Sequence, residues 1–494
     1  MPCISFLEIT DFSRGFTGDM AHSLLRIVLL LTILFNLTAC SSLLKEDSEP
    51  TVLDIPSQWE ESVDDGPVDV RPWTEDFNDP LLNAFIDESI HKNYDLEAIR
   101  SAMFISHANA RVNGADQLPQ IGANFNPSRN KRNSSGGFGV NSGSYTDTWR
   151  INLNINWEFD LWGKIANRVE ATELEYEASQ EDFKAAYLSL AGNLGRSWAD
   201  AVAAKVLYQL NFDTVSNYKN NLEIIEQGYA QGIFTALDLR LMRSNLAQAK
   251  NQLYAQEVVK NNTVRTLEVL SGRYPKGELS ISNQLPTIKQ EVPLGIPATL
   301  LERRHDVIAA RRRLAAADHR VAEAKKAFLP NISLTGSVGN QTQELSDILN
   351  FNFFVWNIAS NVVQPIFQGG RLWAQVDQSE ATVRQAQAQY AQTALIAFQE
   401  VESFLNADRQ LKKQLETVQI SAHEGLEAEL LALEQYQTGL TDIVTLLEAQ
   451  RRSFDTQSVL IRTQMERVQN RINLHLALGG SYAQSKPPVT NDEN

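Results

Sequence analysis

The chain has little that could staple it together. Its 494 residues include two cysteines, Cys3 and Cys40, both in the first tenth of the sequence, so no disulfide framework and no cysteine-based metal site can hold the body. Basic charge is in deficit, with 44 Lys+Arg against 60 Asp+Glu and a net charge of −16. This argues against nucleic acid as a partner. Long apolar runs are also missing, and a polytopic helical membrane protein would need repeated runs of ~20 apolar residues. The seven histidines (His22, His91, His107, His305, His319, His423, His475) show no metal-ligand spacing. There is no His-Glu-x-x-His, no Gly-x-Ser-x-Gly and no phosphate-cradling glycine loop. No enzyme activity, cofactor or metal is therefore expected.

One apolar run remains, Ile27 to Leu37, preceded by Arg26 and followed by Thr38-Ala39-Cys40. It is too short to span a bilayer and suits the core of a cleaved signal peptide starting at Met1 or Met20. Its ending resembles the lipobox of bacterial lipoproteins, which implies an acylated Cys40 as the mature N-terminus. Ser41 after the cysteine then implies sorting to the outer membrane.

The body reads as one unit written twice. Tyr229-Ala230-Gln231-Gly232 recurs as Tyr436-Gln437-Thr438-Gly439, and Leu270-Ser271-Gly272 as Ala477-Leu478-Gly479. Phe159 to Lys164 recurs as Ile366 to Arg371, so all three landmarks lie 207 residues apart. Upstream, Asp95 and Leu118-Pro119 answer to Asp306 and Leu329-Pro330 at an offset of 211. Four extra residues must therefore lie between Pro119 and Gly163. The Ser-, Gly- and Asn-rich stretch 129–143 reads as the exposed connection that takes them.

Proline is absent between Pro127 and Pro275 and between Pro365 and Pro487, so both windows read as helical. Lys164 to Gln227 and Leu372 to Gln437 would form rods of roughly 95 to 100 Å at ~1.5 Å per residue. Apolar residues at 3,4 spacing, such as Tyr187, Ala191, Leu194, Trp198 and Ala201, give the period of a supercoil. The segments 81–117 and 235–271 together approximate the length of the rod they flank.

Between Trp149 and Asp160 every odd position is apolar (Trp149, Ile151, Leu153, Ile155, Trp157, Phe159), and the even ones include Asn152, Asn154 and Asn156. This period-2 alternation marks a strand long enough to cross a tilted membrane barrel, with aromatic ends at the interfaces and the asparagines toward a lumen. Partner strands are expected at 120–128, 331–339 and 353–367. Four strands cannot close, and an open edge cannot face lipid. The protomer must associate, and the strand count permits a dimer or a trimer.

Trp157-Glu158-Phe159-Asp160-Leu161-Trp162-Gly163-Lys164 resembles the strand-to-helix junction of the TolC-like outer-membrane efflux proteins. Phe328-Leu329-Pro330-Asn331-Ile332-Ser333-Leu334-Thr335-Gly336-Ser337 resembles their entry into the third strand. Gly295 to Asp306 resembles a segment of the NodT-like lipoprotein branch that serves resistance-nodulation-division (RND) pumps, with His305 where that branch has Pro. The resemblance covers about residues 70–482. It implies a mainly α fold with a transmembrane β-barrel: a homotrimer with twelve strands and a periplasmic helical tunnel, anchored in outer-membrane lipid. Its implied partners are a periplasmic adaptor and an inner-membrane RND pump, its implied role small-molecule or drug efflux. Two other readings stay open, an export channel for secreted proteins and a coiled-coil lipoprotein without a pore.

The expected organisation is a signal peptide 1–39, an acylated segment 40–72, a first repeat 73–272, an equatorial linker 273–298, a second repeat 299–482 and a polar tail 483–494. The first repeat holds a hairpin 120–160 and helices 164–227 and 235–271. The second holds a hairpin 331–367 and helices 372–437 and 442–478. Gly232 and Gly439 would cap the rods at the periplasmic tip, beside Tyr436. In the resembling family this turn closes the tunnel and carries an acidic ring, for which Asp442 is the candidate and Asp238 its first-copy comparison.

Overall fold

The computed structural model describes residues 59–60, 73–77, 79–136, 140–288 and 297–480. The expected signal peptide, Cys40, most of the acylated segment, the polar tail and residues 289–296 of the linker lie outside the described residues.

The duplication is visible residue by residue. Helix α1 (Pro80–Ile90) and helix α2 (Tyr94–Gly114) lead into strands β1 (Gln120–Gly136) and β2 (Val140–Phe159), the long helix α3 (Lys164–Ala230) and its return α4 (Ala236–Leu270). The second copy has α5 (Pro297–Arg303), α6 (His305–Lys326), β3 (Asn331–Thr342), β4 (Phe354–Val363), the long helix α7 (Arg371–Gln437) and α8 (Ile443–Ala477). Both long helices have 67 residues and both returns have 35, with every boundary displaced by 207. At ~1.5 Å per residue each long helix runs about 100 Å.

Three sequence expectations change. Segment 81–117 is not one helix: Asn93 breaks it, its side chain accepting the Leu96 amide at 2.8 Å as the N-cap of α2. Residues 129–136 and 140–143, expected as connection, belong to the strands instead, because β1 and β2 stay paired up to Gly136 opposite Val140. Polar arms paired outside any core carry no apolar period to reveal them. Finally, β4 stops at Val363 instead of reaching Phe367, where Pro365 has no amide for a ladder.

The core lies along α3. Trp73, Phe77, Phe85, Ile86, Leu194, Trp198, Val202, Leu267 and Ile472 pack together where α1, α3, α4 and α8 meet. Asp79 ties this region down. It accepts the Leu81 and Leu82 amides as the N-cap of α1, the Trp198 indole at 3.1 Å and the Ser282 hydroxyl at 2.8 Å. Between this core and the start of the same rod, α6 lies beside α3 along a ladder of ion pairs: Arg168–Glu323 at 2.7 Å, Arg320–Glu175 at 2.8 Å, Arg312–Glu177 at 3.1 Å and Arg313–Asp182. Pairs this exposed are worth roughly 0–1 kcal/mol each, so the ladder sets alignment more than stability. His305, at the start of α6, joins it through Glu181 at 2.6 Å.

Candidate functional site

The sheet forms one end of the molecule. Its order is β1-β2-β3-β4, all antiparallel, leaving β1 and β4 as edges. Register fixes the faces, because directly opposed residues share a side. Ile121, Ala123 and Phe125 lie opposite Ile155, Leu153 and Ile151. Leu153 also faces Val338, Trp157 faces Leu334 and Phe159 faces Ile332. Ile332 and Val338 continue to Val362 and Trp356. One face therefore gathers the apolar side chains of all four strands, and Ile151, Leu153 and Ile155 on it are 39%, 49% and 39% exposed.

On the other face Asn152 stands between Asn124 and Gly339, Asn154 between Gly122 and Ser337, and Asn156 between Gln120 and Thr335. Asn152 donates to the side-chain oxygen of Asn154. Aromatic residues bound the apolar face. Trp149 stacks on Phe125 with centroids 6.1 Å apart, and Trp157 meets Phe159 edge-on at 5.4 Å. Trp149 and Trp157 are eight residues apart on one strand, ~26 Å along it and roughly 20 Å of height at a tilt of ~40°, which fits within an apolar band about 25 Å tall. Among the described residues no helix is long and apolar enough to cross a membrane.

Below the sheet, the Trp162 indole donates to the Pro330 carbonyl at 2.8 Å, and Phe328 packs on Trp373 with centroids 4.9 Å apart. Gly163 and Gly370, both at positive φ, turn the chain from strand into rod.

The far ends of the rods form the tip. Gly232 and Gly439 have φ of 75° and 76°, a left-handed turn that L side chains rarely adopt. Beyond each turn a return helix is capped in mirrored fashion. At α4, Thr235 is the N-cap, its hydroxyl accepting the Asp238 amide at 3.2 Å while the Asp238 carboxylate accepts the Thr235 amide at 2.8 Å. At α8 the N-cap is Asp442, which accepts the Thr445 amide at 2.8 Å. The 207 offset matches Asp442 to Thr235 and Asp238 to Thr445, so the two acids are not equivalent. That amide, the Thr445 hydroxyl and the Val444 amide hold the Asp442 carboxyl below the usual carboxylate range.

Tyr436 is 5% exposed, whereas its first-copy counterpart Tyr229 is 46% exposed. The difference lies in Phe234, whose ring stacks on Tyr436 with centroids 5.0 Å and planes 8° apart. A threonine, Thr441, stands at the matching position of the second copy. Around the stack, Tyr218, Ile225, Met242, Leu246, Ile443 and Leu446 make a core shared by both tip hairpins. The sequence reading did not single out Phe234, although an aromatic residue two places after a capping glycine, present in one repeat only, was its signal. Burial and the nearby Asp238 charge push the Tyr436 phenol up to about 12.

Residues 85–273 and 296–480 match the family model described as outer membrane efflux protein. The chain is 29% identical over 415 residues, 83% of its length and 87% of the relative's, to the solvent efflux pump outer membrane protein SrpC of Pseudomonas putida. It is 28% identical over 462 residues, 91% and 97% of the two chains, to the cation efflux system protein CusC of Escherichia coli. A solved membrane protein of Pseudomonas aeruginosa superposes with a TM-score of 0.80 at 26% identity, covering 88% of this chain and 99% of that one.

Proposed function

Because the chain belongs to the outer membrane efflux protein family, we propose that three copies close their sheets into one twelve-stranded barrel and their rods into one tunnel, a passive conduit through which an inner-membrane pump empties its cargo. It is the outer-membrane channel of an efflux system, extending into the periplasm. The observation that carries the conduit reading is the sheet register: one side is apolar on all four strands, the other is lined by Asn152, Asn154 and Asn156. Such a sheet has to meet lipid on one side and water on the other, and its free edges β1 and β4 have to pair with further copies.

Acylation at Cys40 would add a second hold on the outer membrane to that of the barrel. The tip, with Gly232 and Gly439 at its turns, would meet a periplasmic adaptor. The relatives named above are called solvent and cation efflux proteins, and we assign small molecules as cargo here, with no chemistry carried out by the chain itself.

Reconstitution of the full chain in planar bilayers tests this reading, together with its mass in mild detergent. A three-copy particle with discrete conductance steps is expected, and a monomeric mass removes the closure. Leu153→Arg should cost about 2 to 4 kcal/mol of membrane-inserted stability if it lies near the bilayer midplane, and Asn154→Arg less. The reverse order would exchange the faces.

A further inference from the structure

We propose that Arg129 and Lys131, on the far end of the β1–β2 hairpin, bind the phosphate-bearing headgroups of the lipid leaflet just beyond the aromatic girdle. The proposal rests on the outward facing of the apolar side given above.

The pairing of β1 with β2 runs without a bulge from Gln120 opposite Asn156 to Gly136 opposite Val140. The alternation of faces therefore carries straight through the girdle. Ile121, Ala123 and Phe125 share a side with Pro127, Arg129 and Lys131, and Trp149 shares it with Asp147 and Tyr145. Strand β3 ends at Thr342, opposite Trp149, so β2 has no β3 partner beyond that point. Arg129 is two residues past the Phe125–Trp149 stack's outer row and Lys131 four. With a strand tilt of ~40° these steps place them roughly 5 and 10 Å above the girdle. The headgroup layer is about 5 to 8 Å thick on each side of the hydrocarbon, so Arg129 stands within it and Lys131 just past its outer edge, where phosphates on the leaflet surface meet it.

The two cations are braced there. The Arg129 guanidinium and the Lys131 ammonium each lie 5.2 Å from the centre of the Tyr145 ring. The Tyr145 ring attracts both positive groups and holds them on one side of the hairpin. Asp147 is the carboxylate on this face. It meets Arg129 through Nε at 3.3 Å and leaves 70% of that side chain exposed. In a protein of net charge −16, two cations fixed at headgroup height form a local site for anions. Arginine's planar fork and a neighbouring ammonium suit a phosphate monoester.

The test uses the purified full chain and Arg129→Ala/Lys131→Ala, exchanged into detergent with lipid A bearing two phosphates or with its dephosphorylated form, and retained lipid counted by native mass spectrometry. Wild type should prefer the phosphorylated lipid by roughly tenfold or more, since each cation at an anionic surface contributes severalfold. The double alanine variant should lose that preference, and Arg129→Lys/Lys131→Arg should keep it. Equal retention by wild type and the double alanine variant overturns the proposal, as does binding of inorganic pyrophosphate at this site with no preference between the lipids. If instead the facing were reversed, the double alanine variant would shift the ion selectivity of the channel without moving lipid retention, and Asn154→Arg would be the more harmful barrel substitution. Unmoved retention with Leu153→Arg still the more harmful overturns the lipid assignment alone.

Discussion

Phe234, from the turn that ends the first long helix, lies flat on Tyr436, in the last turn of the second. This contact has no counterpart in the other direction, because Thr441 stands where a second phenylalanine would be. Within a protomer the two tip hairpins are thus joined by an aromatic clasp, while Tyr229 is left 46% exposed on the outside. Phe234→Ala should loosen the tip without unfolding the protein. A double-mutant cycle with Tyr436→Leu should give a coupling of about 1 kcal/mol beyond the lost burial, and single-channel conductance should rise. No coupling would mean that the rings are neighbours without consequence.

The Tyr436 hydroxyl sits in this core without a hydrogen-bond partner. An unpaired buried hydroxyl costs stability, and its removal at constant shape is neutral or favourable. Tyr436→Phe should therefore leave the thermal midpoint unchanged or raise it, by at most about 1 kcal/mol of stability. A clear drop would reveal a partner in the assembled tunnel.

Asp442 combines a cap and a charge, and two substitutions separate them. Asp442→Asn keeps a good N-cap for α8 and deletes the carboxylate, whereas Asp442→Ala deletes both. If three carboxylates around the axis restrain the opening, the asparagine variant should conduct more than wild type at low salt, with the difference shrinking toward 1 M as the charges are screened. Equal conductance at all salt concentrations would leave Asp442 as a cap alone. Asp238→Ala, on the non-equivalent position of the first copy, should free the Thr235 amide and fray the start of α4.

Glu268 pins the segment that follows α4. Its carboxylate accepts the amides of Gly277 at 2.6 Å, Glu278 at 2.8 Å and Leu279 at 3.2 Å. Burial pushes this carboxyl up, but those three donors and the charge of Arg265 outweigh it and hold it below the usual carboxylate range. A group depressed on folding stabilises the folded state above its unfolded pKa, about 4.3, and loses that contribution as pH falls through the folded value. Amide exchange at Gly277 to Leu279 should therefore be slow at neutral pH, after correction for intrinsic rates, and rise in acid. Glu268→Gln, which keeps one acceptor oxygen but sets an NH2 against one set of these amides, should exchange faster at Gly277 than wild type at neutral pH and lose the acid-dependent rise.

Much of this was legible because its causes are local and periodic. The missing prolines, the 3,4 spacing from Tyr187 to Ala201 and the strict alternation from Trp149 to Phe159 each report one environment along many residues. Repeated glycines then placed both turns. What stayed hidden depends on pairing across distance. Residues 129–136 and 140–143 look like loop because their sequence is polar at both odd and even positions. Their strand character comes from the partner arm, which no periodicity announces. The inequality of Tyr229 and Tyr436 was also invisible, since identical residues at matching positions differ only in whether Phe234 covers them. The 207 offset already set Asp442 opposite Thr235 and Asp238 opposite Thr445, but only the caps show what each acid does, one as the N-cap of its helix and the other three residues past it.

The equal lengths of the two rods and of the two returns carry a consequence for how such a molecule can change size. Adding seven residues to α3 alone would carry its turn about 10 Å beyond that of α7, and Phe234 would leave Tyr436 behind. The same addition to α3 without α4 would leave the end of α4, with Leu267, about 10 Å short of the core it shares with Trp198 and Ile472. Growth of the tunnel must therefore come as four matched insertions, one in each of α3, α4, α7 and α8. The duplication acts as a ruler that lets the conduit be recut only in whole, paired steps.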